Sequence, residues 1–385
     1  MRVFKLIFMN ALRHKLRTIL TVLGIGVAIT SFGLLRTVIA AWNIGITQAA
    51  PDRLITCSKI SITFTLPLAQ KEKIARIPGV MAVTHGSWFG GYYKDPKEFF
   101  AQIAFENAES FKLYPEFIVD SAALHAFASE RNAAIIGSTL AERFGWKAGD
   151  AVQLTGMIYP GQWDFVIRGI YTGRTDGTDV GQFLFNWDYI DQRMQEESPV
   201  RAGQVGWWVI KIDDPAKAAA ISAAVDKEFD NSADETLTET EAAFQQSFVA
   251  MAGTIIFSLE VISILVIGII LLVAANTMAM TARERISEYA VLKTLGFNGG
   301  HIMGLVFGES LVIACLGGGL GLILLFPILN GVGMALRDWF PAFPIDPMTY
   351  PLAAATSVLV GVLAAVFPAW RAIHVSIANG LRRIG

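Results

Sequence analysis

The chain has 385 residues, of which 53% are hydrophobic and 17% are charged, and its mean hydropathy is +0.48. A soluble protein carries about 25% charged residues, so this composition excludes an ordinary soluble enzyme, and the apolar content excludes a disordered chain. The net charge of −2 gives no basic footprint for nucleic acid, and two cysteines without a CxxC pair exclude thiolate zinc and thioredoxin chemistry.

Four long apolar stretches predict four transmembrane helices. They run from about residue 18 to 41, 254 to 280, 302 to 329 and 351 to 370. A bilayer core of about 30 Å needs about 20 apolar residues in a helix, and each stretch is long enough. The first stretch could instead be a cleaved signal peptide, but its apolar run is longer than the apolar region of such a peptide.

The distribution of Lys and Arg near the ends of these spans predicts their orientation, because basic residues accumulate on the cytoplasmic side. The first 17 residues contain five basic residues and no acid. The link between the second and third spans and the C-terminal tail contain three each, whereas the link between the third and fourth spans contains one. We therefore expect both termini and the 281–301 link in the cytoplasm. Residues 42–253, with 18 Lys and Arg against 27 Asp and Glu, would lie outside.

The outer segment is too long for a loop and predicts a separate domain. Short apolar runs predict strands at 53–58, 80–84, 133–136, 151–155, 165–171 and 207–212. Helices are predicted at 66–77, at 138–144 with Ser138 as the cap and Gly145 as the end, and from Asp214-Pro215 to about Phe229. The alternation predicts a mixed α/β domain of two lobes, about 51–130 and 131–230.

The fold class predicted for the whole chain is an α-helical membrane protein with four transmembrane helices and a two-lobed mixed α/β extracytoplasmic domain between the first and second. Helical flanks of this domain predict a stalk that continues each adjoining span outward. The expected order is a cytoplasmic segment (1–17), helix 1 with its stalk (18–50), the outer domain (51–239), a stalk with helix 2 (240–280), a cytoplasmic link (281–300), helix 3 (301–329), an outer loop (330–350), helix 4 (351–370) and a cytoplasmic tail (371–385).

Motifs for covalent chemistry are absent from the sequence. It contains no GxxxxGK[ST] phosphate loop, no HExxH and no GxSxG, and its five histidines are scattered. We therefore predict no catalytic residue, no bound metal and no nucleotide site on this chain.

Glu309 is a candidate intramembrane site, because it lies about two turns inside the third span and a carboxylate there is costly. The more ordinary interpretation is a shallow carboxylate or one that hydrogen-bonds to a neighbouring helix. A membrane enzyme built on Glu309 would need a second catalytic group, and no partner is evident in the sequence.

An aromatic cluster in the outer domain is a candidate contact surface for a substrate or an adaptor. It consists of Trp88, Phe89, Tyr92 and Tyr93, interrupted by two glycines. Exposed aromatic residues often mark interfaces, although packing in the core of the lobe is their commoner fate.

The link between the second and third spans predicts an amphipathic helix that ends near Gly296. Ile286, Tyr289 or Ala290, Lys293 and Phe297 lie on one helical stripe. Such a helix between two spans can dock on a cytoplasmic partner. The alternative is an interfacial helix that serves only the lipid boundary.

The run Glu-Arg-x-x-Glu-x-x-x-Leu-x-x-Leu-Gly at 284–296 resembles the signature of MacB/FtsX-type ABC transporter permeases. The first span at 16–25, Gly308-Glu309-Ser310 with the glycines of 317–321, the run 136–141 and Pro368-Ala369-Trp370 resemble other parts of that family. The resemblance covers the whole chain, and the order and spacing of the motifs are its specific feature. Residues 376–380 depart from the family's acidic-proline tail, which puts a docking role of the tail in doubt.

The resemblance implies a permease that forms a homo- or heterodimer and binds two cytoplasmic ATPase subunits, which hold the ATP and Mg. Residues 284–296 would form the coupling helix. Glu284, Arg285 and Glu288 would make polar contacts to the ATPase, Leu292 and Leu295 would pack, and Gly296 would let the chain turn into the third span. Gly24, Gly26 and Gly33 would allow close approach of helices in the dimer.

By this resemblance, the chain is a non-enzymatic transport subunit of a bacterial inner membrane that works by mechanotransmission, exporting or extracting a lipid, lipoprotein, peptide or drug. Expected partners besides the ATPase are a second permease subunit, membrane lipids and a periplasmic adaptor or substrate-binding protein. The alternative is a signalling relay that activates an outer-face partner such as a cell-wall hydrolase. The large outer domain favours transport.

Overall fold

The computed structural model describes residues 2–11, 13–98, 100–175, 177–335 and 346–374 of the chain. Parts of the predicted outer loop (330–350) and most of the predicted tail (371–385) lie outside the described residues. The described residues divide into a helical unit, formed by residues up to Ala40, Gly253–Ala335 and those from 346 onward, and an outer unit, Ala41–Ala252.

The helices fall into very long apolar ones and much shorter ones. In chain order they are α1 (Arg2–Ala11), α2 (Lys15–Trp42), α3 (Ile44–Gln48), α4 (Gln70–Ala75), α5 (Ser121–Ser129), α6 (Ser138–Phe144), α7 (Trp187–Glu197), α8 (Ala218–Glu228), α9 (Glu241–Met251), α10 (Gly253–Glu284), α11 (Ile286–Thr294), α12 (Gly299–Ala335) and α13 (Thr349–Ile373). Within the described residues, four helices are long and apolar enough to cross a membrane: α2, α10, α12 and α13. The four predicted spans are confirmed.

Helices α2 and α12 approach each other closely at small residues. A Cβ added to Gly321 would lie 2.7 Å from the Gly26 carbonyl oxygen, and the Thr30 hydroxyl donates to the Gly321 carbonyl at 3.0 Å. A Cβ at Gly33 would likewise lie 2.6 Å from Leu325, and one at Gly24 would lie 3.0 Å from Ile270 of α10. The expectation that Gly24, Gly26 and Gly33 serve a dimer is therefore corrected, because they pack within one chain.

Replacing Gly321 by alanine is expected to destabilise the α2–α12 contact by about 1–3 kcal/mol, the usual cost of overpacking a tight interface. The measurement is thermal unfolding of the purified chain in mild detergent. Gly319→Ala is the matched control, because a Cβ at this position of α12 meets no described atom within 4 Å. Equal melting temperatures for Gly321→Ala and Gly319→Ala would contradict this account of the packing.

The outer unit is built on one mixed sheet. Its strands, with the short pair β2 and β11 that lies apart, are β1 (Arg53–Ser58), β2 (Leu66–Pro67), β3 (Val80–Trp88), β4 (Gly91–Tyr92), β5 (Ala101–Phe105), β6 (Phe117–Ile118), β7 (Ala133–Gly137), β8 (Ala151–Gly156), β9 (Gly161–Gly173), β10 (Gln182–Asn186), β11 (Gln204–Val205), β12 (Trp207–Ile212) and β13 (Thr236–Thr240). Within the described residues the order is β13-β1-β12-β3-β5-β10-β7-β9-β8-β4, and β6 pairs with β9.

The sheet has two halves that join where β5 pairs with β10, in parallel. The first half contains β13, β1, β12, β3 and β5, and the second contains β10, β7, β9, β8 and β4. The predicted lobe boundaries, 51–130 and 131–230, are therefore corrected. The chain returns from the second half to place β12 and β13 beside β1, a long-range pairing that local patterns do not reveal.

Two local predictions also need correction. The predicted helix at 66–77 begins only at Gln70, because Leu66 pairs with Val205 and Pro67 disfavours a helical residue before it. The predicted cap Ser138 is the first residue of α6, and the cap position belongs to Gly137, where a Cβ would meet the Val180 carbonyl at 2.0 Å. Gly145 ends α6 with a φ of 69°, as predicted.

Candidate functional site: the ion-pair network at the 281–301 link

The link is a short helix separated from α10 by a single residue, Arg285. Helix α11 ends in a Schellman motif, in which the Gly296 N–H donates to the Lys293 carbonyl at 3.1 Å and the Phe297 N–H to the Leu292 carbonyl at 3.1 Å. Gly296 has a φ of 92°, which explains a glycine at this position. The Asn298 side chain then accepts from the His301 N–H at 3.1 Å in the first turn of α12.

Arg285 points into the helical unit and pairs with Glu309. Its Nη1 donates to Glu309 Oε2 at 2.8 Å, and the two side chains are only 9% and 7% exposed. Its Nε donates to Glu288 Oε2 on α11, also at 2.8 Å. The guanidinium therefore joins the link to α12 through two carboxylates. The expectation that Glu309 has no evident partner is wrong, and the predicted contact of Arg285 with an ATPase is corrected, because its side chain is buried within the chain.

The residues just before α2 and in its first turn supply the remaining charges of the network. Arg17 donates to both carboxylate oxygens of Glu284 at 2.8 Å, and His14 lies 3.7 Å from the same carboxylate. Arg13 hydrogen-bonds to Glu288. Glu284 and Glu288, predicted to contact an ATPase, are thus held by the N-terminal segment while about two fifths of each side chain stays exposed. In the sequence, Arg13 and Arg17 indicate only the orientation in the membrane, and the local pattern does not reveal their pairing with Glu284 and Glu288.

The interactions within the network favour the ionised forms of Arg285 and Glu288. Burial opposes ionisation of Glu288, but the hydrogen bonds from Arg285 and Arg13 outweigh it and hold the pKa of Glu288 below its ordinary value. Burial also opposes the charge on Arg285, yet the hydrogen bond to Glu288 and the charge of Glu309 raise the pKa of Arg285. Arg285 and Glu288 therefore stay charged at neutral pH, and their pairing does not depend on small pH changes.

The apolar residues of the link divide into a packed set and an exposed set. Tyr289 and Ala290 are buried. Tyr289 belongs to an apolar cluster with Ile302 of α12 and Ala369 of α13, and the half-buried Leu292 packs against this cluster. Leu295 is 70% exposed, and Val291 and Phe297 are exposed beside it in sequence. The predicted pair Leu292 and Leu295 thus has two different environments, and only Leu295 offers its side chain to a partner.

The aromatic cluster of the outer domain also divides. Phe89 is fully buried, where its ring makes edge contacts with Trp163, Phe165 and Phe185. Its predicted role in contacting a substrate or adaptor is wrong, because the residue belongs to the apolar core.

The other members of the cluster lie nearer the surface. Tyr93 packs against Phe144 and Trp146. Trp88 is exposed, and Tyr92 is half-buried. A contact surface in this region therefore depends on Trp88 and Tyr92. In the part of the chain that the structure describes, no three His, Cys, Asp or Glu side chains are grouped to hold a metal ion.

Two protein-family models match the chain. The model described as the MacB-like periplasmic core domain matches residues 18–228, and the one described as the FtsX-like permease C-terminal matches residues 260–377. A relative, the pyoverdine export ATP-binding/permease protein PvdT of Pseudomonas entomophila (strain L48), is 30% identical over 154 residues, which is 40% of this chain and 22% of the relative. The match therefore spans about a fifth of the relative's length.

Two of the solved structures similar to the chain are a periplasmic and an extracellular domain. The periplasmic region of MacB from Actinobacillus actinomycetemcomitans has a TM-score of 0.38 at 8% identity, covering 53% of this chain and 95% of that one. The extracellular domain of the ABC-type transporter YknZ from Gram-positive bacteria has a TM-score of 0.36 at 11% identity, covering 49% and 100%. Because the MacB-like core-domain model matches more than half of its residues, the chain belongs to the MacB/FtsX-type family of ABC transporter permeases.

Proposed function

We propose that this chain is the permease subunit of a mechanotransmission-type ABC transporter whose ATPase is a separate cytoplasmic subunit. In this proposal the 281–301 link faces the cytoplasm, in agreement with the basic residues at its ends, and the outer domain faces the periplasm. ATP-driven movement of the link would reach the outer domain through the spans. The cargo would be a lipid, lipoprotein, peptide or drug, and the relative named for pyoverdine export supports export as the direction.

The observation that carries the proposal is the contrast between the two sides of the link formed by α11 and the residues at its ends. One side is anchored, because Tyr289 is buried and Arg285 ties the link to Glu309 of α12. The other side of the link presents Val291 of α11 and, directly after the helix ends, Leu295 and Phe297, which are all apolar and exposed. A rigidly held helix with an exposed apolar patch suits a docking surface for an ATPase subunit, because a force applied to it moves α12 directly.

Replacing Leu295 by aspartate is expected to reduce the ATPase that copurifies in mild detergent more than about tenfold, because a charge in the centre of an apolar interface costs at least 2 kcal/mol. The measurement is affinity purification of the full chain from native membranes, followed by assay of the ATP hydrolysis recovered. The second permease subunit should copurify with the variant as it does with wild type.

Val200→Asp is the matched control, since Val200 is an exposed apolar residue of the outer domain. Its recovery of ATPase should equal that of wild type. Equal recovery for Leu295→Asp would exclude this surface as the docking site. A wild-type chain that retains no ATPase in any detergent would contradict the proposed function itself.

A further inference from the structure

A buried arginine lies where the chain passes into and out of the outer domain. Arg53, the first residue of β1, is 3% exposed. Its Nε and Nη2 donate to the two carboxylate oxygens of Glu241 at 2.8 and 2.9 Å. Its Nη2 also donates to Glu116 Oε1 at 2.7 Å. One guanidinium is thus shared between two carboxylates from distant parts of the sequence.

The carboxylate of Glu241 joins two helices to the sheet. Glu241 is the first residue of α9, and its Oε2 also accepts from the backbone N–H of Ala50 at 2.8 Å, just after α3. We call α3 and α9 the stalk helices, because the chain continues from them into α2 and α10 after single residues, Asn43 and Ala252. The stalk helices also contact each other, since a Cβ on Gly45 would lie 3.1 Å from Gln245 Oε1.

The carboxylate of Glu116 connects the same guanidinium to the second half of the sheet. Arg53 lies over the Tyr114 ring at 4.3 Å and donates to the Leu113 carbonyl. Directly after Glu116, β6 pairs with β9, and the Glu116 carbonyl accepts from the Arg174 N–H at 2.9 Å. Arg53 therefore contacts both stalk attachments and a segment paired with the second half.

Only arginine can make this set of contacts. Its planar group has five N–H donors in a fixed fork, whereas lysine offers a single point charge. Removal of one member of a buried charge network is strongly destabilising, because it leaves the other charges uncompensated. The cluster is therefore suited to keep α3, α9 and the sheet in fixed positions relative to one another when a force acts on the helices.

We propose that Arg53 is a positioning residue that fastens the stalk helices to the sheet, so that α3, α9 and both halves of the outer domain move together. The fastening is a property of the outer unit alone. Its use in transmitting ATP-driven movement rests on the proposed function.

The test is a distance measurement by pulsed electron paramagnetic resonance on the full chain in lipid nanodiscs. Spin labels are attached at Gln246→Cys on α9 and Thr63→Cys beyond the far end of β1, with Cys57 and Cys315 replaced by alanine. Gln246 and Thr63 are both exposed. Arg53→Met combined with Glu241→Gln, which we call the clamp variant, removes the ion pair between Arg53 and Glu241 and leaves no unpaired carboxylate at position 241. The distance distribution should be at least twice as wide as that of wild type, and Arg53→Lys should give an intermediate width.

Lys211→Met is the matched control, because Lys211 lies opposite Arg53 in the sheet and forms an exposed ion pair with Asp52 at 3.5 Å. Its distance distribution should equal that of wild type. Hydrogen exchange of the β7 and β10 amides shows whether the core of each variant is folded. A folded Arg53→Met/Glu241→Gln variant with the wild-type width overturns the proposal. If the β7 and β10 amides of that variant are no longer protected from exchange, the folded Arg53→Lys variant is used instead. A distance distribution as narrow as that of wild type in Arg53→Lys would then overturn the proposal.

A second measurement separates this proposal from the proposed function. With the copurified ATPase and ATP, wild type should show a shift in the distance between Thr63 labels of the two permease subunits. The clamp variant should lose that shift while its ATP turnover stays within about twofold of wild type. A wild-type protein without an ATP-dependent shift contradicts the proposed function. In that case the width of the distance distribution between labels at 246 and 63, measured without ATP, still decides whether Arg53 fastens the stalk helices.

Discussion

Replacing Arg285 by methionine is expected to destabilise the helical unit by about 3–5 kcal/mol, the cost of removing one partner from a buried ion pair. The variant leaves the Glu309 carboxylate buried among α12 and its neighbours without the guanidinium that compensates its charge. It also removes one of the hydrogen bonds to Glu288, which loosens α11. The measurement is thermal unfolding of the purified chain in mild detergent.

The pair can be separated from other causes by a double-mutant cycle. Glu309→Leu alone should be about as harmful as Arg285→Met, whereas Arg285→Met with Glu309→Leu should recover most of the loss, because no uncompensated buried charge remains. Arg17→Met is the control, since its pair with Glu284 is partly exposed and is expected to contribute less than about 1 kcal/mol. Additive effects of Arg285→Met and Glu309→Leu would contradict the importance of their pairing.

The recovered double variant also tests coupling. Under the proposed function it should assemble with the ATPase subunit as wild type does, because Val291, Leu295 and Phe297 are untouched. Its link is no longer tied to α12 by a charge, so ATP hydrolysis should proceed with less movement of the outer domain. A double variant with normal stability and normal transport would show that the Arg285–Glu309 pair serves only the fold.

Much of the architecture could be predicted from local patterns in the sequence. A span of about 20 apolar residues has few alternatives in a folded protein, so the four membrane helices followed from length and hydropathy alone. Short apolar strands such as 53–58 and 207–212 match the observed bounds, because turns and caps punctuate them on both sides. The left-handed Gly145 after α6 is likewise a local requirement.

The pairing of distant residues could not be predicted in this way. Arg285 is separated from Glu309 by the whole of α11, a turn and the first part of α12, and the motif that contains Arg285 is equally compatible with a polar surface. The glycines of α2 could face a second chain or α12, and only the fold shows that Gly26 meets Gly321. The order of the strands in the outer sheet depends on the return of β12 and β13, which no short pattern encodes.

His85 is a further residue whose behaviour depends on its surroundings. It lies on β3, is 1% exposed, and neither ring nitrogen has a hydrogen-bond partner among the described residues. Its ring makes edge contacts with Trp208 of β12 and Trp187 at the start of α7, at centroid distances of 5.6 and 4.7 Å. His85 therefore lies between a tryptophan of the first half of the sheet and one that directly follows β10 of the second half, close to the β5–β10 junction.

Acidification is expected to destabilise the outer domain through His85. Burial, assisted by the positive charge of Lys71, lowers the pKa of His85 from 6.5 to about 3. In the folded state the ring stays neutral, whereas the unfolded chain takes up a proton below pH 6.5. The stability that His85 contributes is therefore complete above pH 6.5 and is lost as the pH falls towards 3. The loss is roughly 2 kcal/mol by pH 5 and roughly 4–5 kcal/mol by pH 3, at 1.36 kcal/mol per pKa unit.

Hydrogen exchange of the β3 and β12 amides in the full chain between pH 7 and 4, corrected for the intrinsic pH dependence of exchange, measures this loss as a fall in the free energy of opening. His85→Phe removes the titrating ring and keeps an aromatic side chain between Trp187 and Trp208, so its free energy of opening should fall much less steeply with pH. His125→Phe is the control, because His125 is exposed on α5 and should leave the wild-type slope unchanged. A wild-type slope in His85→Phe would mean that other groups cause the acid sensitivity. The expected flattening would show that the junction between the two halves of the sheet must stay uncharged to remain closed, since a proton on His85 would lie between two indole rings with no hydrogen-bond acceptor to receive it.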